Sequence, residues 1–308
     1  MTGAGPRAAA PRQWGRLVLG AGAVCVGGVD LFWRQPGGWL RTEPLNHLPV
    51  NLVLALFLLV AAVELAGGVA LIGAGPRAVL APAPAGRAIR AGALALTGAY
   101  LVVTALTLPG IFRHPLIFNS CGYTGEELSR LAGAVIAFAM AAPPPAGARS
   151  ARLALAAFCA FGACVATFMG EQLAFFARTV TLVPTWIPPS PWFWTVATTV
   201  AFGLAAAALL VDTPLLTWVA PYGRSESWLR SPATGARSAR GASKLPRSGR
   251  MALLAARLLT AMMVAFAVLV WVPILVAQPH LLSNWLEGAE TLSIAGAAWV
   301  VADYLAAH

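Results

Sequence analysis

The carboxyl group best placed for chemistry is Glu64, because it lies near the middle of a long apolar segment. Glu64, Gly67, Gly68 and Leu71 follow i, i+3, i+4, i+7 spacing, which puts them on one face of a helix. A carboxyl at that depth in a bilayer is costly unless it faces protein, so we expect it to be protonated or paired. In the functional interpretation, this carboxyl exchanges protons or binds a ligand, for example by a hydrogen bond to the carbonyl of a quinone. In the structural interpretation, it is a neutral acid that fixes helix packing beside two glycines.

Two further acidic residues, Asp30 and Glu171, follow similar apolar segments in the two halves of the chain. They are either ordinary interfacial carboxylates or, in the functional alternative, Glu171 lies against Arg178 and lines a pocket that opens outward. Glu127 and Glu290 are predicted at the entry to apolar segments, where the positive N-terminal end of a helix alone explains an acid.

Histidine and cysteine offer little chemistry in this pattern. No histidine pair has ligand spacing and no C-x-x-C occurs, so we predict no metal site. His114 and His280 each adjoin a proline in related loops and are candidates for a pocket rim. Trp186 lies in a proline-rich connection that could fold back as a cap. No nucleotide-binding or nucleophile motif is present, so the sequence identifies no catalytic residue.

The elements that must position these residues are apolar helices. Hydrophobic residues make up 59% of the chain and charged residues only 10%, which is far from the balance of a soluble domain. A helix needs about 20 mostly apolar residues to cross a bilayer. We therefore predict an all-α, polytopic membrane protein with eight transmembrane helices, at Arg16 to Trp33, Val50 to Ile72, Ile89 to Leu108, Leu128 to Ala142, Leu153 to Ala177, Trp192 to Val211, Met251 to Ala277 and Thr291 to Ala307.

Charge distribution predicts the orientation, because Lys and Arg in short loops stay on the cytoplasmic side. With both termini cytoplasmic in a bacterial-type plasma membrane, only five of the 21 basic residues fall in outer loops: Arg34, Arg41, Arg113, Arg130 and Arg178. The net charge of +10 thus reflects topology, and we expect the lipid bilayer rather than nucleic acid as the partner. In the alternative, the first segment is a cleaved signal peptide and seven spans remain.

The order of motifs repeats. Leu108-Pro109-Gly110 to Leu131-Ala132-Gly133-Ala134, with Glu127 between, matches Val272-Pro273-Ile274 to Ile294-Ala295-Gly296-Ala297, with Glu290 between. We predict a tail at 1–15, a four-helix repeat at 16–142, a linker at 143–152 and a second repeat at 153–308, in parallel orientation. A basic cytoplasmic loop at 212–250, predicted to be disordered, interrupts the second repeat and either rests on anionic lipid or only sets topology.

Several stretches resemble DoxX-like membrane proteins. Met169-Gly170-Glu171-Gln172-Leu173, then Val183-Pro184-Thr185-Trp186-Ile187-Pro188, resembles that family's first hairpin, and Trp271-Val272-Pro273 to Gly296-Ala297-Ala298 resembles its closing hairpin. Glu64-Leu65-Ala66-Gly67-Gly68 resembles the acidic residue and glycine pair of its second helix. The resemblance implies a doubled four-helix unit linked to membrane redox chemistry. The chain departs from the family at Asp30 and Glu171, where relatives often have histidine, and at Ala201, Phe202 and Gly203, which replace the Glu64 motif.

Three functions follow as hypotheses. The first is a quinone-interacting or anchoring subunit of a membrane redox system, with quinone as its cofactor and a soluble or membrane redox partner. The second is a proton-coupled small-solute transporter in which Glu64 is the coupling carboxyl. The third is a membrane assembly factor without a ligand of its own.

Overall fold

The computed structural model describes residues 13–39, 45–73, 75, 83–113, 120–141, 148–211 and 247–307. These residues are almost entirely helical and contain no strand. A π-helical turn at Ala267–Trp271 joins two of the helices, beside Pro273, which lacks the N–H for a regular helical bond. The helices are α1 (Trp14–Trp33), α2 (Val50–Gly73), α3 (Ala83–Arg113), α4 (Ser120–Met140), α5 (Ala148–Ala174), α6 (Phe176–Leu182), α7 (Pro191–Val211), α8 (Arg247–Phe266), α9 (Val272–Ala277) and α10 (Leu282–Ala307).

Six of these elements are long and apolar enough to cross a membrane: α1, α2, α3, α5, α7 and the continuous α8 to α9 segment. The prediction of an all-helical protein of membrane type is therefore confirmed. Helices α4 and α10 are also long, at 21 and 26 residues, but both carry several charges along their length. Those charges, which include Arg130 on α4 and Glu290 on α10, distinguish them from the six apolar elements.

The same two helices begin earlier than the sequence predicts. Helix α4 starts at Ser120 rather than Leu128, and α10 starts at Leu282 rather than Thr291, because charged residues that were taken for loop are covered by neighbouring helices. Arg130 was predicted in an outer loop, and that prediction is wrong, since it lies buried inside α4. Glu127 and Glu290 lie about two turns into their helices, so the N-terminal dipole, which acts within the first turn, does not explain them.

The packing of helices follows the same order in both halves. In the first half α1 packs on α2, α2 on α3 and α3 on α4; in the second half α5 packs on α7, α7 on α8 and α8 on α10. The halves meet where α1 packs on α10, where α4 packs on α5 and where α4 touches α10. The first helix of each half thus packs on the last helix of the other, and α4 and α10 lie at the centre.

The tightest junction, between α1 and α10, depends on glycine. A side chain at Gly15 would overlap the backbone of Trp299 and Val300, and one at Gly296 would overlap the backbone of Leu19. Removing the side chain lets two helix backbones approach closely, as small residues do in membrane helix pairs. This junction is one of those that join the two halves of the molecule.

Polar contacts tie one end of the bundle. The Arg16 guanidinium, which is buried, donates to the carbonyls of Leu71 and Gly75 at the C-terminal end of α2. The backbone N–H of Gly15 donates to Asp303 Oδ2 at 2.9 Å, near the end of α10. The start of α1 is therefore fixed against the ends of α2 and α10. At the opposite end of the bundle lie Trp33, Val50 and Leu282.

Candidate functional site

Arg130 is the centre of a buried ionic cluster. Its side chain is 1% exposed, and its guanidinium contacts carboxylates from three helices. Nη2 pairs with Glu127 one turn earlier on α4 and lies 3.4 Å from Glu290 Oε1 on α10, while Nη1 lies 3.9 Å from Glu64 Oε1 on α2. The guanidinium carbon is also 5.3 Å from the centre of the Tyr100 ring on α3, within range of a cation–π contact.

The position of Glu64 follows from the packing of α2. Glu64, Gly67, Gly68 and Leu71 all lie on the buried face of that helix, as the spacing predicts. A side chain at Gly68 would overlap the carbonyl of Gly20 on α1, and one at Gly67 would lie 2.8 Å from Leu96 on α3. The two glycines therefore let α2 approach both neighbours, and this close approach directs Glu64 toward Arg130.

The cluster borders a cavity of about 110 Å³, which has room for several water molecules or a solute of a few heavy atoms. Its mouth lies at the Trp33 end of the bundle, where the exposed residues Gln35 and Gly38 line it. The charged residues of its wall are Asp30, Glu64, Glu127, Arg130 and Glu290. The remaining lining residues are mostly apolar or aromatic: Val26, Pro36, Trp39, Phe57, Val60, Val103, Leu282 and Leu286.

The cavity wall has an excess of negative groups. Among the described residues, Arg130 is the only cation that lines the cavity, and four carboxyl groups share the wall with it. Several buried polar atoms of the cluster have no hydrogen-bond partner in the described part of the chain: Tyr100 Oη, Glu127 Oε2, Arg130 Nε and Glu290 Oε2. Buried polar atoms are normally satisfied, so unpaired ones beside a cavity indicate a place for a polar occupant.

A second group of carboxyls adjoins the cluster through Glu290. One carboxyl oxygen each from Glu126, Glu287 and Glu290 lie within 4.8 Å of one another. Carboxyl groups this close together repel one another unless protons or a cation neutralise part of their charge. The spacing of the three groups would also suit a metal ion, although the sequence predicted no metal site.

The structure brings two of the predicted site residues, Asp30 and Glu64, to the same cavity. Gly67 and Gly68 lie beside it as packing residues. Glu171 lies next to Gly122 and outside the cavity, and Arg178 is exposed on α6, after the break between α5 and α6.

Two of the remaining predicted site residues, His280 and Trp186, lie away from the cavity. His280 is exposed in the turn before α10, and Trp186 is 56% exposed, so the proline-rich connection does not cap the cavity with this ring. His114 lies outside the described residues, as do residues 212–246 of the predicted basic loop.

Sequence reasoning missed Arg130, Tyr100, Glu126 and Glu287 as members of one site. A local signal for Arg130 was present, because Glu127 and Arg130 have the i, i+3 spacing of a helical ion pair. Tyr100 gave no such signal, since a tyrosine in an apolar helix usually packs in the core. Its place in the cluster depends on how α3 packs on α4.

Comparison with known proteins finds no matching family model, no matching curated protein and no matching solved structure. The fold and the site therefore define only a class: a protein whose described residues are helical, include six helices able to cross a membrane, and hold a buried ionic cluster beside a cavity.

Proposed function

We propose that the chain crosses the membrane eight times, as two parallel four-helix repeats with both termini cytoplasmic. Helices α4 and α10 are long enough to span about 30 Å of hydrocarbon at 1.5 Å per residue. Their charges belong in a span because Arg130 and Glu290 face protein rather than lipid. The matching order of helix neighbours in the two halves supports the repeat. In this orientation the cavity opens on the outer side.

We propose that the protein is a proton-coupled transporter of a small polar solute. The observation that carries this proposal is the cavity at Arg130, which combines buried ionisable groups with room for a solute. Ionisable residues within membrane spans commonly mark substrate or ion pathways. Glu290 reaches the cluster from the second half, so the site lies at the junction between the repeats, where transporters built from repeats bind substrate.

The charges near Arg130 require neutralisation, and this is the reason for including protons in the proposal. Glu64, Glu127 and Glu290 all lie within 4.0 Å of Arg130, and Asp30 lines the same cavity. One guanidinium cannot balance that many carboxylates in a medium of low dielectric constant, so the surplus is neutralised by protons or by a bound cation. A site that exchanges bound protons for a bound cation couples the movement of that solute to the movement of protons.

The test is solute uptake by proteoliposomes across an imposed pH gradient. Three labelled probes represent the charge classes: ethylammonium, acetate and glycine. We expect one class to enter faster with wild-type protein than with Glu64→Gln, which removes a charge from the cavity wall without changing its shape. Glu171→Gln is the matched control, because Glu171 lies on α5 outside the cavity. Equal uptake by wild type and Glu64→Gln for all three probes would contradict the proposal.

A quinone-interacting subunit, the role that the DoxX-like resemblance implies, is the second candidate. The observation that favours it is the aromatic part of the cavity wall, where the rings of Trp39 and Phe57 lie 5.6 Å apart edge to face. Tyr100, beside Arg130, adds a buried hydroxyl that has no hydrogen-bond partner among the described residues and would donate to a quinone carbonyl. Quinone that copurifies with wild-type protein and is lost in Tyr100→Phe would favour this role. Protein purified without quinone from a quinone-containing membrane would count against it.

A further inference from the structure

The unpaired atoms of the cavity identify the kind of ligand that it can hold. Within the described part of the chain, the buried oxygens Glu127 Oε2 and Glu290 Oε2 have no hydrogen-bond partner, and both residues line the cavity. Carboxylate oxygens only accept hydrogen bonds. A ligand that satisfies both must therefore offer at least two donors.

The charge of the cavity wall indicates that the ligand is a cation. Of the described residues, only Arg130 would attract an anionic ligand, and that ligand would face Asp30, Glu64, Glu127 and Glu290. Moreover, the guanidinium is already engaged with three of those carboxylates. A cation meets the surplus of negative groups directly and leaves the contacts of Arg130 in place.

The apolar part of the wall favours an organic cation over a bare metal ion. Val26, Val60 and Val103 offer no oxygen ligands, whereas hard cations require a nearly complete shell of oxygens. Phe57 and Trp39 present aromatic rings, which attract ammonium groups. A short alkyl chain on the cation would contact the valines, and the volume of about 110 Å³ limits the ligand to a few heavy atoms.

We propose that the cavity binds a small primary alkylammonium ion, whose N–H groups donate to Glu127 and Glu290 and whose alkyl group packs against the apolar wall. This inference rests on the proposed transport function and names its substrate class. Each ammonium ion that enters replaces one proton on the carboxyl groups, so the charge of the cavity stays constant. The protein is then an exchanger of protons for alkylammonium ions.

Calorimetric titration of the detergent-solubilised full chain with ethylammonium chloride tests the ligand class. We expect saturable binding by wild type, weakened roughly tenfold or more in Glu290→Gln and Glu127→Gln, which is the effect of losing about 1.4 kcal/mol. Glu171→Gln should bind as wild type does. Sodium chloride and sodium acetate should give no saturable heat. An absence of saturable ethylammonium binding, or equal binding by all variants, would overturn the inference.

A second variant keeps the test valid if the charge variants do not fold. Val103→Phe fills the cavity from α3 and leaves every carboxyl in place. We expect a folded Val103→Phe protein to bind ethylammonium much more weakly than wild type, and unchanged binding would place the ligand elsewhere and overturn the inference.

The failures of the two proposals are distinguishable. If ethylammonium binds in the calorimeter but no probe enters proteoliposomes, the transport proposal fails while the ligand class stands. If acetate or glycine enters proteoliposomes with wild-type protein but not with Glu64→Gln, and ethylammonium does not bind, the transport proposal stands and the proposed ligand class is wrong.

Discussion

In the first half of the molecule Arg130 lies among carboxylates, whereas the second half has Ser293 at the corresponding position, three residues before the matching glycine. The second half is held by neutral groups instead. Thr198 and Thr199 on α7 donate to Gln172 Oε1 on α5 at 3.3 and 2.7 Å. Among the described residues of the second half, the same order of helix neighbours therefore packs without a buried arginine. Buried ion pairs add little stability over neutral packing, so the cluster points to function rather than to folding.

The largest expected effect comes from removing the cation of the first half. Arg130→Met leaves Glu64, Glu127 and Glu290 buried without a positive partner, which should lower the free energy of unfolding by about 3–5 kcal/mol. Ser293→Ala at the matching position loses only a hydrogen bond within its own helix, so we expect about 1 kcal/mol or less. Unfolding in mixed micelles, followed by circular dichroism, measures both. If both variants lose the same free energy of unfolding, the proposed difference between the halves is wrong.

A triple variant sharpens this comparison. Arg130→Met combined with Glu127→Gln and Glu290→Gln replaces three charged groups of the cluster by neutral ones and leaves Glu64 as its remaining carboxyl. We expect it to recover most of the stability lost by Arg130→Met alone, because neutral replacement of a buried ionic cluster is often tolerated. If the triple variant is as unstable as the single one, the loss arises from packing volume rather than from charge.

A smaller effect is expected at the junction between the halves. Gly296→Ala places a methyl group against the backbone of Leu19, which should cost about 1–3 kcal/mol because backbone has to move. Gly98→Ala on α3 is the matched control, since a side chain there meets no atom within 4 Å. The same unfolding assay compares the two variants. If Gly296→Ala is no worse than Gly98→Ala, α1 and α10 do not pack as closely as described.

The smallest effect concerns the neutral network of the second half. Thr199→Val removes the hydroxyl that donates to Gln172, and interhelical hydrogen bonds in membranes contribute about 0.6 kcal/mol on average. Thr260→Val serves as control, because its hydroxyl donates only to the carbonyl of Ala256 in its own helix. A loss of several kcal/mol in Thr199→Val would show that the second half also depends on a polar centre.

The sequence predicts well which segments are helical and which side of a helix is buried, because both follow from the spacing of apolar residues. The spacing of Glu64, Gly67, Gly68 and Leu71 was enough to place them on the buried face of α2. The composition of the apolar runs likewise predicted the six elements able to cross a membrane.

The cluster itself was not predictable, because it depends on distances between helices. Glu290 lies 160 residues after Arg130 along the chain, and only the packing of α4 on α10 brings them to 3.4 Å. The charges at Glu126, Glu127, Glu287 and Glu290 also truncated the two predicted helices, since they were read as a reason to begin an apolar run later. Glu64 was placed correctly inside its helix, whereas Glu127 and Glu290, which contact Arg130, fell outside the predicted spans.

The most direct test of the central claim, that the buried Arg130 cluster borders a water-accessible cavity, is cysteine labelling in proteoliposomes. In a cysteine-free background, Val103→Cys lies in the cavity wall on α3, and Val165→Cys lies buried on α5 in the second half. A small water-soluble thiol reagent bearing an ammonium group should modify Val103→Cys readily and leave Val165→Cys unmodified. Equal modification of both, or an unreactive Val103→Cys, would contradict the claim.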